Sequence, residues 1–142
     1  HRAAFAAGDA KLVKSLVNIR MHAGLNTPAP VQHAIAVALG DYSHVAAEKE
    51  IYRRRREQLL GAVRDYGFEL SDSEAGLYLW ATLHEDCWKT VDRMAELGIL
   101  VGPGSLYGDN STNHVRFALT ATDENISLAV ARLRDAVGLE HR

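Results

Sequence analysis

The chain has 142 residues, of which 47% are hydrophobic and 24% charged, with a formal net charge of −2. That is the composition of an ordinary globular domain able to bury a core of its own, and so small a net charge gives no electrostatic basis for nucleic acid or an anionic membrane as partner. No apolar run approaches the ~20 residues of a membrane span, and one cysteine, Cys87, cannot form an internal disulfide, which suits a reducing cytoplasm.

In chain order, residues 2–8 read as a short apolar strand. Asp9 is placed to cap a helix over 10–23 whose apolar stripe is Leu12, Val13, Leu16 and Val17. The prolines of 28–30 break it, and Thr27-Pro28 reads as the N-cap and first residue of a second helix, with Val31, Ala34, Ile35, Ala38 and Leu39 buried and Gly40-Asp41 as its end. A long helix over 43–66 carries a sparse stripe of Val45, Tyr52, Leu59, Val63 and Tyr66, with Gly67 closing it. Its four successive arginines, Arg53 to Arg56, point around the whole circumference among nearby acids, which predicts a solvated helix and no basic patch.

Strands are expected at 68–70 and 75–82, the second with Leu77, Leu79 and Ala81 on one face and Tyr78, Trp80 and Thr82 on the other. A helix over 85–97 should bury Trp88, Val91 and Met94 or Ala95, with Cys87 a small core residue. The apolar run 99–101 reads as a buried strand, and a strand over 115–119 puts Val115, Phe117 and Leu119 on one face. A last helix over 123–137, capped by Thr122, has Ile126, Ala129, Val130, Leu133 and Val137 as its core stripe.

Arg116 lies among the apolar residues of the 115–119 strand and must point to its other face. It follows a loop with glycines at 102, 104 and 108. An arginine so placed can grip both oxygens of a carboxylate with a charge that does not titrate away; the alternative is a structural salt bridge. The three glycines lack the spacing before a helix N-terminus that a phosphate loop needs. None of the seven histidines pairs with another His or with Cys at metal-ligand spacing, so no metal is expected.

The stretch from Gly98 to Thr120, with Gly102-Pro103-Gly104, Tyr107-Gly108 and Arg116, resembles the C-terminal end of the class I/II aminotransferases, pyridoxal-phosphate enzymes of the aspartate aminotransferase fold type. The start of the chain is similar as well. Arg2 matches the final arginine of the family's "SKxxxxxGxR" motif, and the motif's Schiff-base lysine would lie eight residues before it, ahead of His1. None of Lys11, Lys14, Lys49 and Lys89 has that context. The wording of 75–81, of 114–124 and of Met21 to Gln32 is most like the N-succinyldiaminopimelate aminotransferases.

The resemblance implies an α+β chain: the small C-terminal domain of a fold type I aminotransferase from about residue 41 to 142, a small sheet covered by helices, preceded over 1–40 by the last strand and helices of the large cofactor-binding domain. It implies pyridoxal 5'-phosphate as cofactor, amino-acid and 2-oxo-acid substrates, and a homodimer. By the same resemblance Arg116 binds the substrate α-carboxylate and Arg2 the cofactor phosphate, while His22, Asn26 and Thr27 reach the active site of the other subunit, His22 toward the substrate side chain and Asn26 and Thr27 toward the cofactor. Relatives specific for dicarboxylic substrates carry an arginine near the place of His22, so an aspartate-like specificity is not expected. Without the lysine these residues by themselves should be inactive. They also suggest apolar surface left uncovered on 2–40. The competing reading is a non-catalytic amino-acid-binding or dimerisation module.

Overall fold

A computed structural model describes residues 3–70 and 73–140. The chain divides into two compact units, 1–46 and 47–142. The first contains helix α1 (Ala10–His22) and helix α2 (Ala29–Gly40). The Asp9 carboxylate accepts from the backbone N–H groups of Lys11 and Leu12 and starts α1 as expected. The expected strand at the chain start is not formed among residues 3–8. A strand needs a ladder partner for its backbone groups, and no described strand pairs with this segment.

The start of α2 also differs from expectation. Pro28 is its N-cap residue, and Thr27 makes no capping hydrogen bond. The Thr27 hydroxyl instead accepts from Arg20 at 3.2 Å, and its carbonyl from the Gln32 side chain at 2.7 Å. The apolar residues of this unit are poorly covered: Phe5, Leu12, Val17, Ile19, Val37 and Leu39 are all exposed. Leu39 in particular does not take the packed position that its helix periodicity suggests.

Helix α3 (Ser43–Asp65) starts in the first unit and runs into the second, which continues β1 (Glu69–Leu70), β2 (Tyr78–Thr82), α4 (Cys87–Glu96), β3 (Gly102–Pro103), two 3₁₀ turns (Gly104–Tyr107 and Asp109–Ser111), β4 (His114–Ala118) and α5 (Asp123–Glu140). The four strands form one antiparallel sheet in the order β1-β2-β4-β3. The architecture is therefore the α+β arrangement of a small sheet and helices. Leu79, Ala81, Val115 and Phe117 of the sheet, Leu59 and Val63 of α3, Met94 of α4, and Ile126 and Leu133 of α5 form the buried core. Tyr52 and Tyr66 pack at its edge.

Three further expectations for this unit need correction. Arg55 and Arg56 are not solvated: Arg55 donates to Asp123 and to the Leu119 carbonyl, and Arg56 is only 7% exposed and donates to Ser73 and the Gly76 carbonyl. Trp88 is 52% exposed, because the buried stripe of α4 runs through Cys87, Thr90 and Met94 and Trp88 falls one residue off it. Residues 99–101 form no strand. Gly98, at φ 68°, closes α4 by a turn in which its N–H bonds to Ala95 and that of Ile99 to Met94, so the ladder begins only at Gly102. Ile99 and Val101 are still buried, but Leu100 between them is 91% exposed.

Candidate functional site

The strand alternation sends Val115 and Phe117 into the core and leaves His114 and Arg116 on the opposite face of the sheet. Cross-strand register completes that face. Trp80 is directly opposite Arg116 on one side and Gly102 on the other, while Tyr78 is paired with the small Ala118. The Arg116 guanidinium carbon lies 4.2 Å from the centre of the Tyr78 ring and 5.5 Å from that of Tyr107, which the first 3₁₀ turn supplies. A side chain on Gly102 would begin 3.6–3.8 Å from Arg116 atoms, so anything larger than a methyl group would crowd the guanidinium. Trp80 joins the cluster edge-on to Tyr107 at 5.4 Å and stacked on His114 at 5.5 Å.

Two polar atoms on this face are buried and have no hydrogen-bond partner: Arg116 Nε and His114 Nδ1. Among the described residues no carboxylate forms an ion pair with Arg116, although Arg53, Arg54, Arg55 and Arg93 all have one. A structural salt bridge is therefore not what holds Arg116. Its charge and its fork are available to an anion from outside the chain, and aromatic faces flank it.

The first unit has a recess of about 360 Å³ lined by Phe5, Val17, Arg20, Asn26, Thr27 and Gln32 among others. Asn26 and Thr27 thus come together. Arg20 shapes the loop that carries them: its Nε and Nη2 both donate to the Leu25 carbonyl, at 3.2 and 2.9 Å. The recess has polar groups from Arg20, Asn26, Thr27 and Gln32 and no carboxylate in its lining, although Arg20 and Gln32 already donate to the Leu25 and Thr27 carbonyls and the Thr27 hydroxyl. His22, at the end of α1, is exposed and is not part of that lining. Arg116 belongs to the other unit, and Arg2 lies outside the described residues. Among the described residues no group of three or more His, Cys, Asp or Glu is placed to hold a metal ion, and no helix is long and apolar enough to cross a membrane.

The sequence reading missed Tyr78, Tyr107, Trp80 and His114 around Arg116, and Arg20 in the recess. The parity of β2 does put Tyr78 and Trp80 on one face; which residues of β4 they meet depends on register, for which no local signal exists.

Comparison with known proteins identifies the family. The sequence pattern of the family described as "Aminotransferase class I and II" matches residues 1–133. A 4-dedimethylamino-4-oxo-anhydrotetracycline transaminase from Streptomyces rimosus is 47% identical over 133 residues, covering 94% of this chain and 37% of that protein. A Mycobacterium tuberculosis protein named "Probable aminotransferase Rv1178" is 48% identical over 133 residues, covering 94% and 32%. Among solved structures, the N-succinyldiaminopimelate aminotransferase of Mycobacterium tuberculosis superposes with a TM-score of 0.75 at 27% identity, over 90% of this chain and 36% of that one. The chain spans about a third of the length of these relatives. With a family pattern running through both units and the same fold in a solved relative, this chain belongs to the class I and II aminotransferases.

Proposed function

We propose that this chain supplies the C-terminal part of a pyridoxal-phosphate-dependent aminotransferase, an enzyme that moves an amino group between an amino acid and a 2-oxo acid. The observation that carries the reading is Arg116: a guanidinium in a rigid strand, flanked by aromatic rings, with a buried unpartnered Nε and no acidic partner among the described residues. When bound, the cofactor supplies the electron sink at the substrate's Cα. Arg116 contributes orientation, holding the α-carboxylate through two parallel hydrogen bonds so that the rest of the substrate has one pose.

In this reading residues 1–40 end the large cofactor-binding domain and 41–142 form the small domain. Asn26 and Thr27, braced by Arg20, would help hold the cofactor phosphate of the other subunit, with Arg2 sharing phosphate charge in its own. His22 would meet the side chain of the substrate held by the other subunit. The cofactor's lysine is supplied from outside these 142 residues, so the chain alone is inactive. The uncovered apolar residues of the first unit support a homodimer, and the lone buried thiol of Cys87 suits the cytoplasm. For the substrate we favour N-succinyl-diaminopimelate with 2-oxoglutarate as amino acceptor, in lysine and cell-wall biosynthesis. Support comes from the structural likeness to the Mycobacterium tuberculosis enzyme of that name. The Streptomyces rimosus relative is named for a different, oxo-anhydrotetracycline substrate, and assay of both substrate types separates the two.

The test of the site is Arg116→Lys in the full-length enzyme. Lysine keeps the charge but loses the fork. Amino-acid and 2-oxo-acid substrates should both weaken, by about 2–3 kcal/mol for a charged hydrogen-bonded contact, with cofactor retention unchanged. Loss of cofactor at unaltered substrate KM would assign Arg116 a different role.

A further inference from the structure

Arginine is a long side chain with several rotatable bonds, and a ligand that binds a free arginine must first immobilise it. Four arginines of this unit are held by acids: Arg53 by Glu50 and Glu57, Arg54 and Arg55 by Asp123, Arg93 by Glu85. An acid at Arg116 would compete with an incoming carboxylate for the same fork. Arg116 is instead held by ring faces, which attract a guanidinium without accepting its in-plane hydrogen bonds.

We propose that Tyr78 is a positioning residue of the Arg116 site, its ring fixing the guanidinium in place before a carboxylate arrives. This rests on the reading of Arg116 given above. Tyr78 is the nearer of the two rings, at 4.2 Å against 5.5 Å for Tyr107, and it stands on a strand of the sheet. Its cross-strand partner is Ala118, whose methyl group leaves the space beside Arg116 to the tyrosine ring, and Arg116 is the diagonal neighbour. Gly102, on the other flank, presents no side chain to displace the guanidinium from that ring. Trp80, directly opposite Arg116, is engaged with His114 and Tyr107 instead. Tyr78 therefore acts through Arg116 and not on the substrate.

The experiment is a double-mutant cycle in the full-length enzyme with Tyr78→Leu, Tyr78→Phe and Arg116→Gln, read as KM and kcat for both substrates and as the inhibition constant of a simple dicarboxylate inhibitor. Tyr78 is partly exposed, and thermal unfolding of each variant checks that it folds. Tyr78→Leu should raise KM and the inhibition constant about tenfold with kcat within about twofold, as expected for loss of a cation–π contact. Tyr78→Phe, which keeps the ring face, should recover most of that loss. In the Arg116→Gln background Tyr78→Leu should have no further effect. An equal effect of Tyr78→Leu in both backgrounds would overturn the proposal, because the ring would then be touching the ligand itself. So would a Tyr78→Leu enzyme with unchanged KM; and if Tyr78→Leu does not fold, a Tyr78→Met enzyme is measured in its place, and a KM equal to that of Tyr78→Phe overturns the proposal. If Arg116→Gln alone leaves KM unchanged, the carboxylate reading of Arg116 fails, and that result is distinct from a failure of Tyr78.

Discussion

Gly104 and Ser111 approach so closely that a Cβ on Gly104 would lie 2.0 Å from the Ser111 carbonyl oxygen, and 2.6 Å from that of His114. Both are backbone atoms and cannot swing aside. The contact ties the first 3₁₀ turn, which carries Tyr107, to the start of β4, which carries His114 and Arg116. Gly104→Ala is expected to destabilise the protein by at least the ~1–3 kcal/mol of an overpacked core site, measured from its denaturant midpoint. A midpoint equal to wild type would mean that the loop yields freely and that the close approach has no structural consequence.

Arg56 is a buried side chain that pins the segment leading into β2. It donates to the Ser73 hydroxyl at 2.5 Å and to the Gly76 carbonyl, two residues ahead of Tyr78. Replacing it with alanine removes both bonds and leaves a void where the guanidinium was. We expect Arg56→Ala to cost about 2–4 kcal/mol, combining lost hydrogen bonds from a charged group with a cavity. Equilibrium unfolding of the two proteins measures it, and a difference below ~1 kcal/mol would show that water substitutes for the arginine.

Asp123 opens α5 and is gripped by two arginines of α3, Arg55 at 2.5 Å and Arg54 at 2.6 Å. The hydrogen bond from Arg55 first, and then that from Arg54, hold its carboxyl below the ordinary aspartate value of 3.8. The folded value is depressed, so the pair contributes stability above 3.8 and loses it as pH falls through the folded value. The gap in unfolding midpoint between wild type and Asp123→Asn should therefore be open at neutral pH and close in acid. A gap that stays constant down to the lowest pH at which both proteins fold would assign it to something other than the charge.

The first unit exposes large apolar side chains, among them Leu12 at 73%, Ile19 at 63% and Tyr42 at 77%. Surface of that kind associates. The chain studied alone should show a concentration-dependent mass in sedimentation, and placing Glu at Leu12 and Ile19 together should shift it toward the monomer. A wild-type chain that remains monomeric at high concentration would mean that these residues are tolerated in water as they stand.

Much of the fold is legible along the chain because its signals are local. Asp9 and Thr122 mark helix starts, and the side chains of both accept the expected backbone N–H groups. Leu59 and Val63, and Ile126 and Leu133, recur at helical spacing and are buried. The alternation of 115–119 was enough to separate Arg116 from its core-facing neighbours, and the glycine loop before it carried the family resemblance. The failures are equally specific. Residues 3–8 have the composition of a strand, but a strand exists only where another supplies its hydrogen bonds. Trp88 sits in an apolar helix whose phase is set by what α4 packs against, and that put Cys87 and Met94 inside. Arg55 and Arg56 looked like solvated charges because their partners, Asp123, Ser73 and Gly76, are remote in sequence.

By itself, then, the sequence determined where the helices run, the face of Arg116 on its strand, and the family resemblance. The tertiary structure alone decided what surrounds Arg116. Tyr78, Gly102 and Tyr107 lie 38, 14 and 9 residues before it, and nothing local links them. Antiparallel register and the turn at Gly104 bring them together. The reason is that side-chain direction follows from a strand's own period of two, whereas cross-strand neighbours follow from pairing, and a slip of one residue between β2 and β4 would put Tyr78 and Arg116 on opposite faces.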